Sequence, residues 1–179
     1  IISDVFGRDW QNIFGIEYKD VQWSATGEYL TKETFDNYRK NDPSGMVTHH
    51  YQKEEWIQKA LASPSCIVAS DAMPLFRLSN KVVPNGIGTF SRILAKYVRD
   101  LQLITLSDAI AKMSYLPAQR LEGIAPLFKK KGRIIVGSDP DIVIFDPETI
   151  QDHASYDSPF HASTGMDYVM VGGIWVIKD

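Results

Sequence analysis

The run Cys66-Ile67-Val68-Ala69-Ser70 shows no polar alternation, carries two β-branched residues and is bracketed by Ser63-Pro64 and Met73-Pro74. A short continuous apolar run between turn signals predicts a strand buried on both faces, the kind found in parallel sheets covered by helices. Asp71 follows at its carboxyl end. The carboxyl ends of such strands are where α/β folds collect their chemistry. A doubly buried strand that runs into a carboxylate narrows the chain to the α/β class.

The residues upstream agree with that class. Met46 to His50 reads as a second short strand, and between the two strands Trp56, Ile57, Ala60 and Leu61 share one face of a helix over 52–62. Strand, helix and strand in this order predict a βαβ crossover with the strands as parallel neighbours. Further back, Thr31 is placed to cap a helix that ends near Asn41-Asp42-Pro43, whereas residues 1–30 are rich in aromatics and Gly without a sustained period, as in a structured loop. Downstream, Thr89 is expected to cap a helix whose Phe90, Ile93, Leu94, Tyr97, Val98 and Leu101 form one stripe, with Arg92, Lys96, Arg99 and Asp100 opposite. Another helix is expected from Ser107, turning Ile110 and Met113 inward and stopping before Pro117. A short helical turn then runs to Glu122 and ends at Gly123.

Beyond Gly132 the period becomes extended. Arg133 to Val136, Asp141 to Phe145, Tyr168 to Val171 and Ile174 to Ile177 read as strands, and Gly172-Gly173 as a two-residue hairpin turn. The pattern divides the chain into an α/β body, 1–131, and a small β segment, 132–179.

Composition removes several function classes. With 179 residues, 44% hydrophobic and 23% charged, the chain is able to bury a sizeable core. Net charge is −3 and the basic residues are scattered apart from Lys129-Lys130-Lys131, a solvated turn, so no nucleic-acid partner is expected. No apolar run reaches the roughly 20 residues of a membrane span, and no signal peptide is visible. The single cysteine excludes an internal disulfide and is compatible with a reducing, cytoplasmic compartment. Within its apolar run Cys66 reads as a buried, inert thiol.

Several segments together resemble the amidohydrolase superfamily, in particular its D-aminoacylase or N-acyl-D-amino-acid deacylase branch. They are Ser70-Asp71-Ala72, Gly88-Thr89-Phe90-Ser91-Arg92, Ala109-Ile110-Ala111-Lys112-Met113, Leu116-Pro117-Ala118 and Arg120-Leu121, then Gly132-Arg133-Ile134, Gly137, Asp141 to Pro147 and Tyr168 to Gly173. They occur in the family's order across residues 66–177. The resemblance implies the C-terminal part of a (β/α)8 TIM-type barrel, with an active-site insertion over about residues 1–45, plus a segment of the small β-sandwich over 132–179. A complete barrel takes about 250 residues. The first strand with its His-x-His pair has no counterpart here, so the N-terminal barrel half is expected from a separate chain or from the rest of a longer one; a homo-oligomer is a further expectation.

The resemblance further implies zinc, one or two ions with most ligands outside this chain, and hydrolysis of a non-peptide C–N amide bond in a small N-acyl-D-amino acid. Hydantoinase-like or dihydropyrimidinase-like cyclic amides are the alternative substrates, and a non-catalytic assembly piece is the alternative role. Asp71 is the expected metal contact and proton shuttle; otherwise it is a loop Asp capping Ala72-Met73. His49 and His50 end the preceding strand with side chains on opposite sides, and His50 is chosen for the substrate side. Arg77 is a candidate fork for a substrate carboxylate. Relatives carry His-Pro-Arg where this chain has Val83-Pro84-Asn85, which makes Asn85 a further substrate-side candidate. His153 and His161 read as loop residues. Asp139 and Asp141 read as turn residues.

Overall fold

A computed structural model describes residues 9–72 and 83–178. In the first part, aromatic side chains fold the expected loop into a miniature core. Helix α1 (Trp10–Phe14) closes on Gly15 in the left-handed conformation, and strand β1 (Val21–Trp23) pairs antiparallel with β2 (Val47–His49). Between them α2 (Lys32–Asn41) begins at a reciprocal cap: the Thr31 hydroxyl accepts from Thr34 N–H, and the Thr34 hydroxyl accepts from Thr31 N–H. Trp10, Val21, Trp23, Leu30, Phe35 and Val47 are buried together, with the Trp23 ring stacked on Tyr38 at 4.1 Å.

The second core gathers around helices. Helix α3 (Glu54–Ala62) buries Leu61 and leaves Trp56 half exposed. Helix α4 (Asn85–Arg92) runs on without a break into π-helical turns over Ile93–Asp100, burying Ile93, Leu94 and Tyr97 on the expected stripe. Helix α5 (Leu106–Ile110), capped by Thr105, likewise continues through π turns at Ala111–Tyr115 into α6 (Leu116–Leu121). Met113 packs on this core and Ile110 does not.

A three-stranded antiparallel sheet of β3 (Ile142–Phe145), β4 (Met166–Val171) and β5 (Ile174–Lys178) follows, in that order. Its β4–β5 hairpin turns on Gly172 and Gly173, both at positive φ. That conformation is what a two-residue turn matching strand twist demands. The Asp141 carboxylate accepts from Gly172 N–H at 2.7 Å, tying the start of β3 to the turn.

Several expectations are corrected. The Cys66–Ser70 run is not a sheet strand: Val68 N–H donates to Lys112 O, Cys66 N–H turns back to Ser63 O, and Ile67 is half exposed. A strand exists by its ladder, and no described neighbour offers one. With it falls the parallel βαβ unit, since β2 pairs with β1 and every strand pair among the described residues is antiparallel. Thr89 lies inside its helix, which opens four residues earlier at Pro84-Asn85. Pro117 does not stop its helix, because the wider π turns before it accommodate the missing N–H and the ring. Residues 133–136 form no strand, and Ile134 and Val136 are almost fully exposed.

Lys129 and Lys130 are exposed as expected, whereas Lys131 bridges Asp139 at 3.0 Å and Asp141 at 2.5 Å. The chain is thus a mixed α/β structure. Barrel strands are not seen among its described residues.

Candidate functional site

Asp71 sits where the extended run meets the N-terminus of α4. Its side chain is exposed, and its backbone has φ 50°, a left-handed conformation otherwise found among the described non-glycine residues only at Gln102. Lys112 holds the run in place from beneath. Its buried ammonium donates to Ser63 O and, at 3.0 Å, to Cys66 O, while its own carbonyl accepts from Val68 N–H at 3.0 Å. A buried cation of this kind is tolerable because carbonyl oxygens replace its water. Nothing in the apolar period of the sequence marks Lys112 for this task.

Asn85 is the sequence candidate that the fold brings to Asp71. Its Nδ2 donates to the main-chain carbonyls of Ser70 and, at 3.1 Å, Asp71, and its buried Oδ1 has no partner among the described residues. His50 lies elsewhere, at the end of β2. Gln22 Nε2 donates to Gly27 O, so Gln22 Oε1 faces the imidazole at 3.2 Å and His50 Nε2 carries the proton. The rings of Tyr29 and Tyr156 flank it, and burial lowers its pKa despite the opposing charge of Asp20. His50 is therefore neutral at pH 7. Arg77 falls outside the described residues.

A cleft of about 690 Å³ opens between α3, the extended run and α4, with Tyr51, Ala69, Asn85, Arg92, Asp152 and Tyr156 among its walls. Asp71 is not part of its lining. Arg92, on the supposedly solvent-facing side of the α4 helix, shapes one end of it, and Arg99, in the π turns that continue the helix, is not part of the lining. Arg92 pairs with the buried Asp152 carboxylate at 2.7 Å and donates to Ala154 O, and Arg99, two turns on, donates to Ile150 O at 2.7 Å and Gln151 Oε1 at 3.0 Å. They bind the 148–154 segment to the helix. His153 and His161 lie in loops, where their rings meet the hydroxyls of Thr164 and Ser158.

Zinc needs about four ligands in a protein site. Among the described residues no three His, Cys, Asp or Glu side chains gather to provide them. Asp71 is a single exposed carboxylate. The described residues do not by themselves fit the ion.

No family model matches the chain. Curated proteins do: an N-acyl-D-glutamate deacylase of Alcaligenes xylosoxydans xylosoxydans is 36% identical over 137 residues, 75% of this chain and 26% of that protein. A D-aminoacylase of the same organism is 32% identical over 146 residues, 80% of this chain and 28% of that protein. A match of either extent necessarily includes Asp71 and Asn85. Among solved structures, the N-acyl-D-glutamate deacylase from Bordetella bronchiseptica, complexed with zinc and a phosphonate mimic of the tetrahedral intermediate, superposes with a TM-score of 0.76 at 32% identity, over 89% of this chain and 35% of that one. A D-aminoacylase described as defining a novel subset of amidohydrolases gives a TM-score of 0.72 at 28% identity, over 89% of this chain and 34% of that one. The chain spans only about a quarter of the length of the curated relatives it matches.

Proposed function

Over the region they share, this chain belongs with the D-aminoacylases and N-acyl-D-amino-acid deacylases of the amidohydrolases, and from that premise we propose that it is the part of such an enzyme that brings Asp71 to the scissile amide. The observation that carries the reading is the placement of Asp71. It is an exposed carboxylate at the end of the anchored run, inside the stretch that matches the deacylases. The substrate class is an N-acyl-D-amino acid. A water oxygen adds to the acyl carbon, and Asp71 takes the proton that water gives up. As the C–N bond breaks, the carboxyl returns that proton to the departing nitrogen, so acid and amine leave.

A zinc like that of the related N-acyl-D-glutamate deacylase would draw, in this reading, most of its ligands from residues beyond those described, supplied by the remaining part of a (β/α)8 barrel, with Asp71 as the contact from this stretch. Residues 1–131 are its closing portion, with an insertion over about 1–45, and 132–179 belong to a β-sandwich. His50, flanked by aromatic rings, and Asn85 are assigned to the substrate side in this reading, as is Arg77, which lies outside the described residues.

The test is Asp71→Asn in the full-length protein, assayed on N-acetylated D- and L-amino acids. Loss of a proton-transferring carboxylate is expected to lower kcat by about 10²–10⁴-fold, with the near-ultraviolet spectrum unchanged. Parental activity in this variant sinks the role of Asp71. A preference for L substrates sinks the substrate class and leaves the reaction.

A further inference from the structure

Asp71 meets Asn85 through its backbone. A left-handed turn at Asp71 swings the carbonyls of residues 70 and 71 to the same side of the chain, whereas an extended residue would point them apart. One NH₂ group then reaches both, and Asn85 supplies it. The next residue of α4 lets the helix come this close. A Cβ added to Gly86 would lie 3.3 Å from Ala72 Cβ and 3.5 Å from Ala72 Cα, so the absence of a side chain leaves room for the turn. Asp and Asn tolerate positive φ better than other residues that have a Cβ, but the conformation persists only where its surroundings hold it.

Both Nδ2 hydrogens are spent on main-chain oxygens. The remaining polar atom, Oδ1, is buried and can only accept. An acceptor cannot hold a substrate carboxylate.

We propose that Asn85 is the positioning residue of Asp71: its side-chain amide clamps the carbonyls of residues 70 and 71 and so fixes the left-handed turn from which the Asp71 carboxylate is presented. The inference rests on the reading of Asp71 as the proton-transferring group. The working atom is Nδ2, and the contribution of Asn85 to the substrate side is made through Asp71.

The experiment uses Asn85→Asp in the full-length protein, a change that keeps the shape and the acceptor and replaces the donor with an oxygen facing two carbonyls. A misplaced catalytic group is expected to cost kcat about 10²-fold with KM within about twofold of the parent. The carbonyl carbon chemical shifts of residues 70 and 71 are expected to move as their hydrogen bonds are lost, while those of α3 and residues 93–100 stay in place. Parental kcat with unmoved carbonyl signals, or a raised KM at parental kcat, overturns the proposal, because the first leaves the donor idle and the second marks a direct substrate contact. Where Asn85→Asp loosens the whole molecule, Asn85→Ala, which removes the donor without adding charge, has to reproduce the local pattern in both readings or the proposal fails. Asp71→Asn separates the two levels. An active Asp71→Asn beside moved carbonyl signals in Asn85→Asp keeps the clamp and removes the catalytic role; an inactive Asp71→Asn beside an unaltered Asn85→Asp removes the clamp alone.

Discussion

His49 shows how one side chain can set the acid limit of a small core. Its ring stacks on Trp10 at 5.9 Å and contacts Phe14 at 5.1 Å, and its Nε2 is buried without a partner among the described residues. Burial above all, with the charge of His50 acting in the same sense, lowers its pKa to about 4. In the unfolded chain the same ring takes up a proton near pH 6.5. The unfolded state therefore binds the proton more tightly, and the contribution of His49 to stability is complete above pH 6.5 and is lost as the pH falls towards 4. The loss amounts to at most about 3 kcal/mol. Phe at this position keeps the stacking and cannot titrate. Melting temperatures of parent and His49→Phe, measured between pH 7 and 4, are expected to converge and then cross in favour of the variant. Parallel curves would show that the ring is not held neutral by its surroundings.

At the scale of elements, the α4 helix is fixed at several points along its length. Asn85 and Gly86 hold its start to residues 70–72, and Arg92 and Arg99 hold its flank to 150–154. Gly88 lies against the second of these contacts: an added Cβ would stand 2.0 Å from Asp152 Oδ1, and that carboxylate both pairs with Arg92 and accepts from Ala154 N–H. Gly88→Ala is expected to cost about 1–3 kcal/mol of stability by overpacking. Truncating Asp152 empties the contested space, so Gly88→Ala added to Asp152→Ala is expected to cost much less than Gly88→Ala alone. Denaturant titrations of the two single variants and the double variant read this directly, and simple additivity would contradict the contact.

The whole molecule has two cores and an open sheet. Trp10, Trp23 and Phe35 centre the first core and Leu94, Tyr97 and Ile150 the second. Ile174, Trp175, Val176 and Ile177 of β5 are all exposed, and because successive strand residues face opposite ways, both faces of the sheet present apolar side chains. Sheets of this kind find their stability against another layer. Metal binding is a property of the same scale. With no cluster of three ligating side chains among the described residues, the 179-residue chain dialysed against zinc is expected to retain well under one ion per chain, and the full-length protein to retain at least one. Stoichiometric zinc on the short chain would place a complete site inside it.

What the sequence determined by itself was whatever depends on near neighbours along the chain. Thr31 as a cap, the stripe from Ile93 to Tyr97 and the Gly172-Gly173 hairpin were legible because capping, helical period and positive φ are local requirements. The likeness to the deacylases was legible for a related reason, since the order of short motifs survives where single residues drift. Asp71 and Asn85 could each be marked as candidates, but their pairing through the carbonyls of residues 70 and 71 could not, because the two are 14 residues apart. The tertiary structure alone decided the rest. Whether Cys66 to Ser70 becomes a strand depends on a ladder partner, whether Arg92 and Arg99 meet solvent depends on where residues 148–154 return, and whether Lys112 is buried depends on two carbonyls from another segment. Hydrogen bonds between distant segments satisfy these groups, and no pattern of adjacent residues encodes where the partner will be.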